Sequence, residues 1–340
     1  MPLTRNSKGV TTVSEILRVS GLTVEFSTED GTFSAIEDVG FGLEQGKTLA
    51  IVGESGSGKS VTSLAIMQLL AENGRITAGE IVLDGENLLD LPPNDIQHRI
   101  LGQQISMIFQ EPMTALNPIL TVGDQITEVL LEHQGIAKKA AYERAIEVLR
   151  EVGIPSPEKR IRQYPHELSG GMRQRVMIAM GLVSEPKVMI ADEPTTALDV
   201  TIEAQILDLL DRLKREFGTS ILFVTHDLNV VADIADDVIV MYAGQIVERG
   251  SVLDVFEQPK HPYTQGLLGA MPSLTGVEGD LPTIPGVVPS IANRPSGCRF
   301  HNRCPFAHPR CTAEAPAVYR VGGQDVRCHL FDPHRSEESQ

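Results

Sequence analysis

The chain has 340 residues, of which 41% are hydrophobic and 22% are charged, and its formal net charge is −16. This composition is typical of a globular protein that is long enough for more than one domain. The acidic net charge and the absence of tryptophan argue against a nucleic-acid-binding protein. No apolar stretch approaches the roughly 20 residues of a membrane span, and the N-terminus lacks the apolar core of a secretory signal, so a cytoplasmic protein is expected.

The first predicted elements form a β region. Residues 1–15 are polar and are predicted to be a flexible arm. Ile16–Phe26 alternates between apolar and polar residues, and Phe33–Leu43 has the pattern of a second strand after a short turn. An antiparallel β region is therefore expected at the start of the chain.

The glycine-rich stretch Gly53–Ser60 fits the P-loop pattern G-x-x-x-x-G-K-S. It lies between the apolar run Thr48–Val52, which has the length of a strand, and a helical pattern in residues 61–70. The backbone amides of such a loop and the N-terminus of the helix bind phosphate. Lys59 is expected to reach the β- and γ-phosphates, and the Ser60 hydroxyl is expected to ligate Mg²⁺. The predicted site for ATP and Mg²⁺ includes Gly53, Glu54, Ser55, Gly56, Ser57, Gly58, Lys59, Ser60 and Val61.

An aromatic side chain in the N-terminal β region would complete this site by stacking on adenine. Phe26 is the first candidate and Phe33 is the alternative. The competing interpretation is that both rings pack within the β region.

Later apolar runs of strand length end at polar side chains that can act on the phosphates. Gln110, Asp192, Glu193 and His226 each stand at the end of such a run. Helical patterns alternate with these runs, which predicts a parallel α/β sheet with its ligand site at the carboxyl ends of the strands. The helical spacing over Val122–Val152 interrupts this alternation and predicts an inserted helical subdomain, and Val238–Tyr242 with Gln245–Glu248 is predicted to finish the sheet as a hairpin. Asp192 is expected to bind the P-loop Mg²⁺, and Glu193 to accept a proton from the attacking water. Gln110 and His226 are expected to position this water or to sense the γ-phosphate.

This set of motifs resembles the nucleotide-binding domain of ABC transporters, over about residues 16–250. The resemblance implies an α/β P-loop NTPase fold with an N-terminal antiparallel β subdomain and an α-helical subdomain inserted at about residues 111–183. It also implies that Phe26 is the aromatic residue that stacks on adenine and that Gln110 contributes to the Mg²⁺ site. The matching motifs are Walker A at Gly53–Ser60, the Q-loop at Gln110, the signature at Leu168–Met172, Walker B at Val188–Asp192 with the adjacent Glu193, the D-loop at Asp199 and the switch histidine at His226.

In the resembled family, the signature motif of one subunit binds the ATP that is held by the P-loop of another. Ser169, Gly170 and Gly171 offer backbone amides and a helix N-terminus to such an anion, and Asp199 belongs to the same nucleotide site. The resemblance therefore implies a second ABC ATPase subunit as a partner, and a heterodimer is favoured over a homodimer. Two transmembrane permease subunits are the other expected partners. An extracytoplasmic solute-binding protein would act indirectly, no nucleic acid is expected, and the expected location is the cytoplasmic face of the cell membrane.

Two further stretches narrow the resemblance to the dipeptide/oligopeptide permease branch. They are Phe109–Pro118 and His261–Leu267, the second of which contains the sequence His-Pro-Tyr. They imply an ATPase that powers peptide uptake, although nickel and glutathione importers use close relatives. Two interpretations from other classes remain, a soluble ABC ATPase that acts on ribosomes or DNA and an iron–sulfur redox sensor with a secondary ATPase activity.

The four cysteines all lie near the C-terminus, with the spacing Cys-x5-Cys-x6-Cys-x16-Cys. This spacing lacks the close pairs that are usual for zinc, and a reducing cytosol disfavours disulfides. Cysteine-bearing extensions in this permease branch resemble [4Fe–4S] sites. The resemblance therefore favours a cluster over zinc or free thiols, with the ligands Cys298, Cys304, Cys311 and Cys328.

The predicted domain organisation follows from these assignments. After the arm, an ABC nucleotide-binding domain is expected at residues 16–255. A His-Pro-Tyr element and a linker rich in proline and glycine follow at residues 256–297. The Cys-rich region is expected at residues 298–330, and residues 331–340 are predicted to be a disordered tail.

Overall fold

The computed structural model describes residues 14–110, 115–196, 198–271 and 283–334. The predicted arm up to residue 13, the stretch at 111–114, residues 272–282 of the predicted linker and residues 335–340 of the predicted tail lie outside the described residues.

Twelve strands are formed by the described residues. In chain order they are β1 (Glu15–Thr28), β2 (Gly31–Glu44), β3 (Thr48–Val52), β4 (Gly74–Leu83), β5 (Glu86–Asn87), β6 (Ile105–Ile108), β7 (Val188–Asp192), β8 (Ser220–Thr225), β9 (Asp237–Tyr242), β10 (Gln245–Ser251), β11 (Val318–Val321) and β12 (Gln324–Arg327).

Within the described ranges, most helices of four or more residues follow β6. A π-helical turn at Ile96–Ile100 is not given a label. The helices are α1 (Lys59–Ile66), α2 (Val122–Gln134), α3 (Lys138–Glu151), α4 (Pro157–Arg160), α5 (Gly170–Leu182), α6 (Val200–Phe217), α7 (Leu228–Ile234), α8 (Val252–Glu257), α9 (Pro262–Gly269) and α10 (Pro309–Ala313). No helix in the described ranges is long and apolar enough to cross a bilayer.

The N-terminal β subdomain is confirmed. Its four strands pair antiparallel in the order β2-β1-β4-β5. Apolar side chains that alternate along β1 and β2, such as Val24, Ile36 and Phe41, are buried in a core shared with α1 and the main sheet. This packing holds the β subdomain against the P-loop helix.

The main sheet has eight strands in the described part of the chain, in the order β11-β12-β10-β9-β3-β8-β7-β6. The five strands from β9 to β6 are parallel. Strand β3 lies between β9 and β8, and all five of its residues are buried, as expected for a central parallel strand with both faces covered. The carboxyl ends of β3, β6, β7 and β8 therefore meet at one edge of the sheet, where ligands bind in such folds.

The inserted helices predicted from residues 122–152 are confirmed as α2 and α3. Thr121 caps α2 with a capping box. The apolar residues Ile126, Leu130, Val148 and Leu149 are almost fully buried in a cluster that also contains residues of α5 and α6. The inserted helices α2 and α3 therefore pack against α5, the helix that begins at the signature motif.

The C-terminal part of the chain joins the main sheet, which differs from the sequence-based expectation. The predicted hairpin of β9 and β10 is present, with Ala243 and Gly244 both at positive φ in its turn. It was expected to complete the sheet, but β12 pairs with β10 and β11 pairs with β12. The two added strands have four residues each, Val-Tyr-Arg-Val in β11 and Gln-Asp-Val-Arg in β12, which is too short for a periodic signal in the sequence.

Candidate active site

The P-loop follows β3 and borders an open cavity of about 980 Å³. Gly53 has a φ of 154°, and a Cβ atom there would lie 2.2 Å from the carbonyl oxygen of Met241. Gly58 has a φ of 105°, and a Cβ atom there would lie 2.6 Å from a methyl carbon of Ile36. Both positions therefore require glycine, and the backbone of the loop can approach a ligand closely. The predicted nucleotide-binding residues Gly53, Glu54, Ser55, Gly56, Ser57, Gly58, Lys59, Ser60 and Val61 all line this cavity.

The Lys59 side chain is the buried cation of the cavity. Its Nζ donates hydrogen bonds to the carbonyl oxygens of Gly53 at 2.8 Å and Glu54 at 3.3 Å, and lies 3.9 Å from Glu193 Oε1. Burial lowers the pKa of Lys59, while the carboxylates of Glu193 and Asp192 act in the opposite direction. The ammonium group is thus held at the phosphate-binding loop, next to the carboxylate expected to act in hydrolysis.

The predicted Mg²⁺ ligands Ser60 and Asp192 lie next to each other. Ser60 Oγ is 3.3 Å from Asp192 Oδ1. Asp192 is buried at the end of β7, and burial raises its pKa although the Ser60 hydrogen bond acts in the opposite direction. A hydroxyl and a carboxylate are the oxygen ligands that Mg²⁺ prefers while it keeps several waters, so this pair fits the ion. The Gln110 amide, the third predicted ligand, contacts Glu193 instead.

Glu193 is the centre of a hydrogen-bonded cluster. Its φ of 46° is uncommon for a residue other than glycine, and its amide donates a hydrogen bond to the carbonyl oxygen of Val224 at 2.8 Å. Its Oε2 accepts hydrogen bonds from Gln110 Nε2 at 3.2 Å and Thr196 Oγ1 at 3.0 Å, and lies 3.2 Å from His226 Nδ1. Groups from three strand ends therefore converge on one carboxylate, an arrangement that can orient a water molecule and accept its proton.

Part of the cavity wall comes from residues that follow β8 in the chain. Leu228 and Leu267 line it, and so does the stretch Gly286–Val288 from the predicted linker. The C-terminal third of the chain therefore takes part in forming the cavity, in addition to the P-loop and the strand ends.

Comparison with known proteins shows the family to which the chain belongs. The ABC transporter family model matches residues 36–196, and a model of the oligopeptide/dipeptide transporter C-terminal region matches residues 247–311. The oligopeptide transport ATP-binding protein OppD of Bacillus subtilis is 53% identical over 94% of this chain and 90% of its own length. The dipeptide transport ATP-binding protein DppD of Haemophilus influenzae is 49% identical over 92% of this chain and 95% of its own length. The chain belongs to this family of ABC transporter ATP-binding proteins.

Solved structures support the assignment of the fold. The dimeric structure of MJ0796, a bacterial ABC transporter cassette, is 28% identical and covers 69% of this chain with a TM-score of 0.62. The cbiO1 protein from Clostridium perfringens, part of an ABC transporter complex, is 30% identical and covers 72% of this chain with a TM-score of 0.62. The chain therefore has the fold of an ABC nucleotide-binding cassette and is an ABC-type ATPase, as the motifs in the sequence indicate.

The family motifs divide into two groups in this structure. Walker A, Gln110, Glu193 and His226 line the cavity, and Asp192 of Walker B contacts it through Ser60, but none of the signature residues or Asp199 lines it. Ser169 caps α5 and accepts a hydrogen bond from the amide of Met172 at 3.4 Å, and Asp199 caps α6 in the same way at 3.0 Å from the amide of Ile202. The signature therefore lies away from the P-loop of its own chain.

Phe26 does not line the cavity. It pairs with Phe33 across β1 and β2, and it is half-buried against the core of the β subdomain. Stacking of Phe26 on adenine therefore remains a prediction.

None of the four cysteines forms a disulfide; Cys311 and Cys328 are buried, and Cys298 and Cys304 are half-buried. Burial, with a smaller effect of neighbouring thiols, raises the pKa of Cys298 to about 11 and that of Cys328 to about 12. The sulfur atoms of Cys298, Cys304 and Cys328 each accept a hydrogen bond from the backbone amide two residues further on. The described residues nevertheless contain no group of three or more His, Cys, Asp or Glu side chains arranged to hold a single metal ion.

Sequence reasoning missed two kinds of functional residue. Thr196 contacts Glu193, but an isolated threonine in a loop carries no signal of its own. Tyr263 and Arg303 contact the P-loop residue Glu54 from 209 and 249 positions away along the chain. The His-Pro-Tyr sequence marked Tyr263 as a family feature, yet nothing in the sequence indicated this contact.

Proposed function

We propose that this chain is the ATP-binding and ATP-hydrolysing subunit of an importer of oligopeptides or dipeptides. The observation that carries the proposal is the match of residues 247–311 to the oligopeptide/dipeptide transporter C-terminal region, on a chain whose ATPase motifs are complete. The near full-length identity with OppD and DppD supports the same substrate class.

The geometry supports a specific division of labour in hydrolysis. The P-loop amides and Lys59 bind the phosphates, and Ser60 with Asp192 would hold Mg²⁺, which supplies charge stabilisation at the phosphates when bound. The Glu193 carboxylate is held beside Lys59, at the site of the phosphates. It is therefore placed to accept the proton of the attacking water. Gln110 and His226 position this carboxylate and the water through the hydrogen bonds described above.

The exposed signature supports a nucleotide site shared between two subunits. Ser169 and Gly170 are exposed at the N-terminus of α5, and a Cβ atom at Gly170 would meet nothing within 4 Å. This open helix N-terminus fits an anion presented by another subunit. We propose a second, similar ABC ATPase as the partner, with Gly171 and Asp199 at the shared interface. The dimeric form of MJ0796 supports such an arrangement.

Exposed apolar residues near the Q-loop support attachment to permease subunits. Phe109 precedes Gln110 and is 39% exposed, and Ile119, ahead of α2, is 78% exposed. A partner protein that covered these side chains would remove apolar surface from water, which favours binding. We propose that two transmembrane permease subunits dock here, which places the chain at the cytoplasmic face of the membrane and leaves the solute-binding protein in indirect contact. The division into an ABC domain, a linker at 256–297 and a Cys-rich region at 298–330 is likewise proposed.

The proposal is tested by uptake in a strain that lacks this chain. Expression of the chain should restore uptake of a radiolabelled tripeptide, while Glu193→Gln should restore none, because hydrolysis is needed for each transport cycle. Radiolabelled nickel and glutathione are measured in parallel. Restored nickel or glutathione uptake without peptide uptake would contradict the substrate class, and uptake that does not depend on the chain would favour a soluble ABC ATPase.

For the cysteines, we propose a [4Fe–4S] cluster in preference to zinc. The grouping of four thiols within electrostatic range of one another and the amide hydrogen bonds to three sulfurs support a cluster, since such bonds tune cluster sulfurs. Zinc sites usually contain closely spaced cysteine pairs, which the spacing Cys-x5-Cys-x6-Cys-x16-Cys does not provide.

Anaerobically purified protein should therefore contain about four iron and four sulfide ions per chain and show broad visible absorption. Cys328→Ser should lose most of the iron because a buried ligand is removed, whereas Ser290→Ala, in the segment that precedes the Cys-rich region, should keep it. Stoichiometric zinc, or no metal in the wild-type protein, would contradict the cluster. Unchanged ATPase activity after oxidation of the cluster would exclude the redox-sensor interpretation.

A further inference from the structure

The C-terminal region contacts the P-loop residue Glu54 from two sides. The Glu54 amide donates a hydrogen bond to the Tyr263 hydroxyl at 2.9 Å. The Glu54 carboxylate forms a bidentate ion pair with Arg303, with distances of 2.7 and 3.1 Å. The carbonyl oxygen of Glu54 accepts the hydrogen bond from Lys59 at 3.3 Å. The amide, the carbonyl and the carboxylate of this one loop residue therefore all have partners.

Arg303 joins the P-loop to another part of the cavity wall. Its Nε donates to the carbonyl oxygen of Pro285 at 2.8 Å, and a terminal nitrogen donates to that of Ile284 at 3.3 Å. These carbonyls immediately precede Gly286–Val288, which line the cavity. The Arg303 side chain is only 5% exposed, and its guanidinium lies over the ring of Tyr242. A planar guanidinium with several donors suits this role, and lysine could not reproduce it.

Tyr263 is held in place by an aromatic cluster. Its ring centroid lies 4.7 Å from that of Tyr242 and 5.4 Å from that of Phe300, and Tyr263 is fully buried. Burial raises the pKa of Tyr263 well above its usual value, so the hydroxyl stays neutral and can accept the hydrogen bond from Glu54. The contact therefore has a fixed geometry.

The charge of Glu54 gives these contacts a consequence for nucleotide binding. Glu54 lines the cavity that would receive the phosphates of ATP, and its carboxylate is one-third exposed. An unpaired carboxylate at this point would repel the phosphates, because charges separated by a few Å in a partly buried site are weakly screened. The guanidinium of Arg303 neutralises this carboxylate and directs it toward the C-terminal region.

We propose that Arg303 and Tyr263 are positioning residues of the nucleotide site, through which the C-terminal region sets the affinity of the P-loop for ATP. They act through Glu54 and do not contact the phosphates themselves. Arg303 precedes Cys304 in the chain, so the position of its guanidinium depends on the fold of the cysteine-bearing segment. This role goes beyond the proposed peptide import and would hold for any transported solute.

The test is a titration of the full-length protein with Mg-ATP, together with the kinetics of ATP hydrolysis. Arg303→Ala should raise the Kd by about tenfold, which corresponds to about 1.4 kcal/mol. The KM should rise in parallel while kcat at saturating ATP changes less than about twofold, because the hydrolytic cluster around Glu193 is untouched. Adding Glu54→Gln to Arg303→Ala should return the Kd most of the way to the wild-type value, since the repelling charge is then absent.

Two further variants separate positioning from general destabilisation. Arg320→Ala removes an arginine of the same region whose partner is Asp325, and it should leave the Kd unchanged. Tyr263→Phe keeps the buried ring but removes the hydroxyl, and it should raise the Kd severalfold even if Arg303→Ala does not fold. A wild-type Kd in Tyr263→Phe, an equal loss of affinity in Arg320→Ala, or a double variant no better than Arg303→Ala would each overturn the proposal.

Discussion

Lys59→Ala should raise the Kd for Mg-ATP by about 100-fold or more, which corresponds to about 3 kcal/mol. The ammonium group is the buried cation of the P-loop, and it faces the carboxylates of Glu193 and Asp192 as well as the site of the phosphates. Its removal would take away a charged hydrogen-bond donor to the phosphates and leave the two carboxylates without their cation. Equilibrium titration with Mg-ATP measures this loss directly.

The control for Lys59→Ala is Lys139→Ala on α3. Lys139 is 90% exposed and pairs only loosely with Glu143, so its loss should not change the Kd. Thermal unfolding of both variants shows whether the effect is local to the site. Binding of ATP by a folded Lys59→Ala protein with near wild-type affinity would contradict the assignment of the P-loop.

Glu193→Gln should lower kcat by about 10² to 10⁴ while ATP remains bound. The amide has the shape of the carboxylate and can still accept hydrogen bonds from Thr196 and Gln110, but it cannot take a proton from water. Removal of a negative charge beside the phosphates should also strengthen ATP binding. The variant is therefore expected to accumulate as an ATP-bound dimer with its partner ATPase, which light scattering and single-turnover hydrolysis would detect.

Glu216→Gln is the matched control for this change. Glu216 is exposed near the end of α6 and takes no part in the hydrogen-bonded cluster around Glu193. The kcat of the Glu216→Gln variant should therefore equal that of the wild-type protein. If Glu193→Gln hydrolysed ATP at the rate of this control, the proton would have to go to another group.

Much of the catalytic site could be predicted because its residues sit in local patterns. The P-loop has a strand before it and a helix after it, and Gln110, Asp192, Glu193 and His226 each end an apolar run. In a parallel sheet these ends meet at one edge, so a one-dimensional pattern was sufficient to predict a three-dimensional cluster. The structure brings Gln110 and His226 each to within hydrogen-bonding distance of Glu193, as this argument requires.

The contribution of the C-terminal region could not be predicted, because it depends on contacts between distant parts of the chain. Arg303 and Tyr263 carry no periodic or motif signal that indicates the P-loop as their partner. Strands β11 and β12 have only four residues each, so their addition to the main sheet could not be predicted from a periodic pattern. The composition of residues 271–297 resembles a linker, yet Gly286–Val288 line the cavity, since a segment rich in proline can still be fixed by hydrogen bonds to its carbonyl groups.

The measurement that tests the central claim most directly is ATP hydrolysis by the assembled transporter in lipid nanodiscs, with its permease subunits and its partner ATPase. The rate should rise severalfold when a peptide-loaded solute-binding protein is added, and the same protein without peptide should have little effect. Hydrolysis that does not respond to peptide, or that responds to nickel alone, would contradict the account of this chain as the ATPase of a peptide importer.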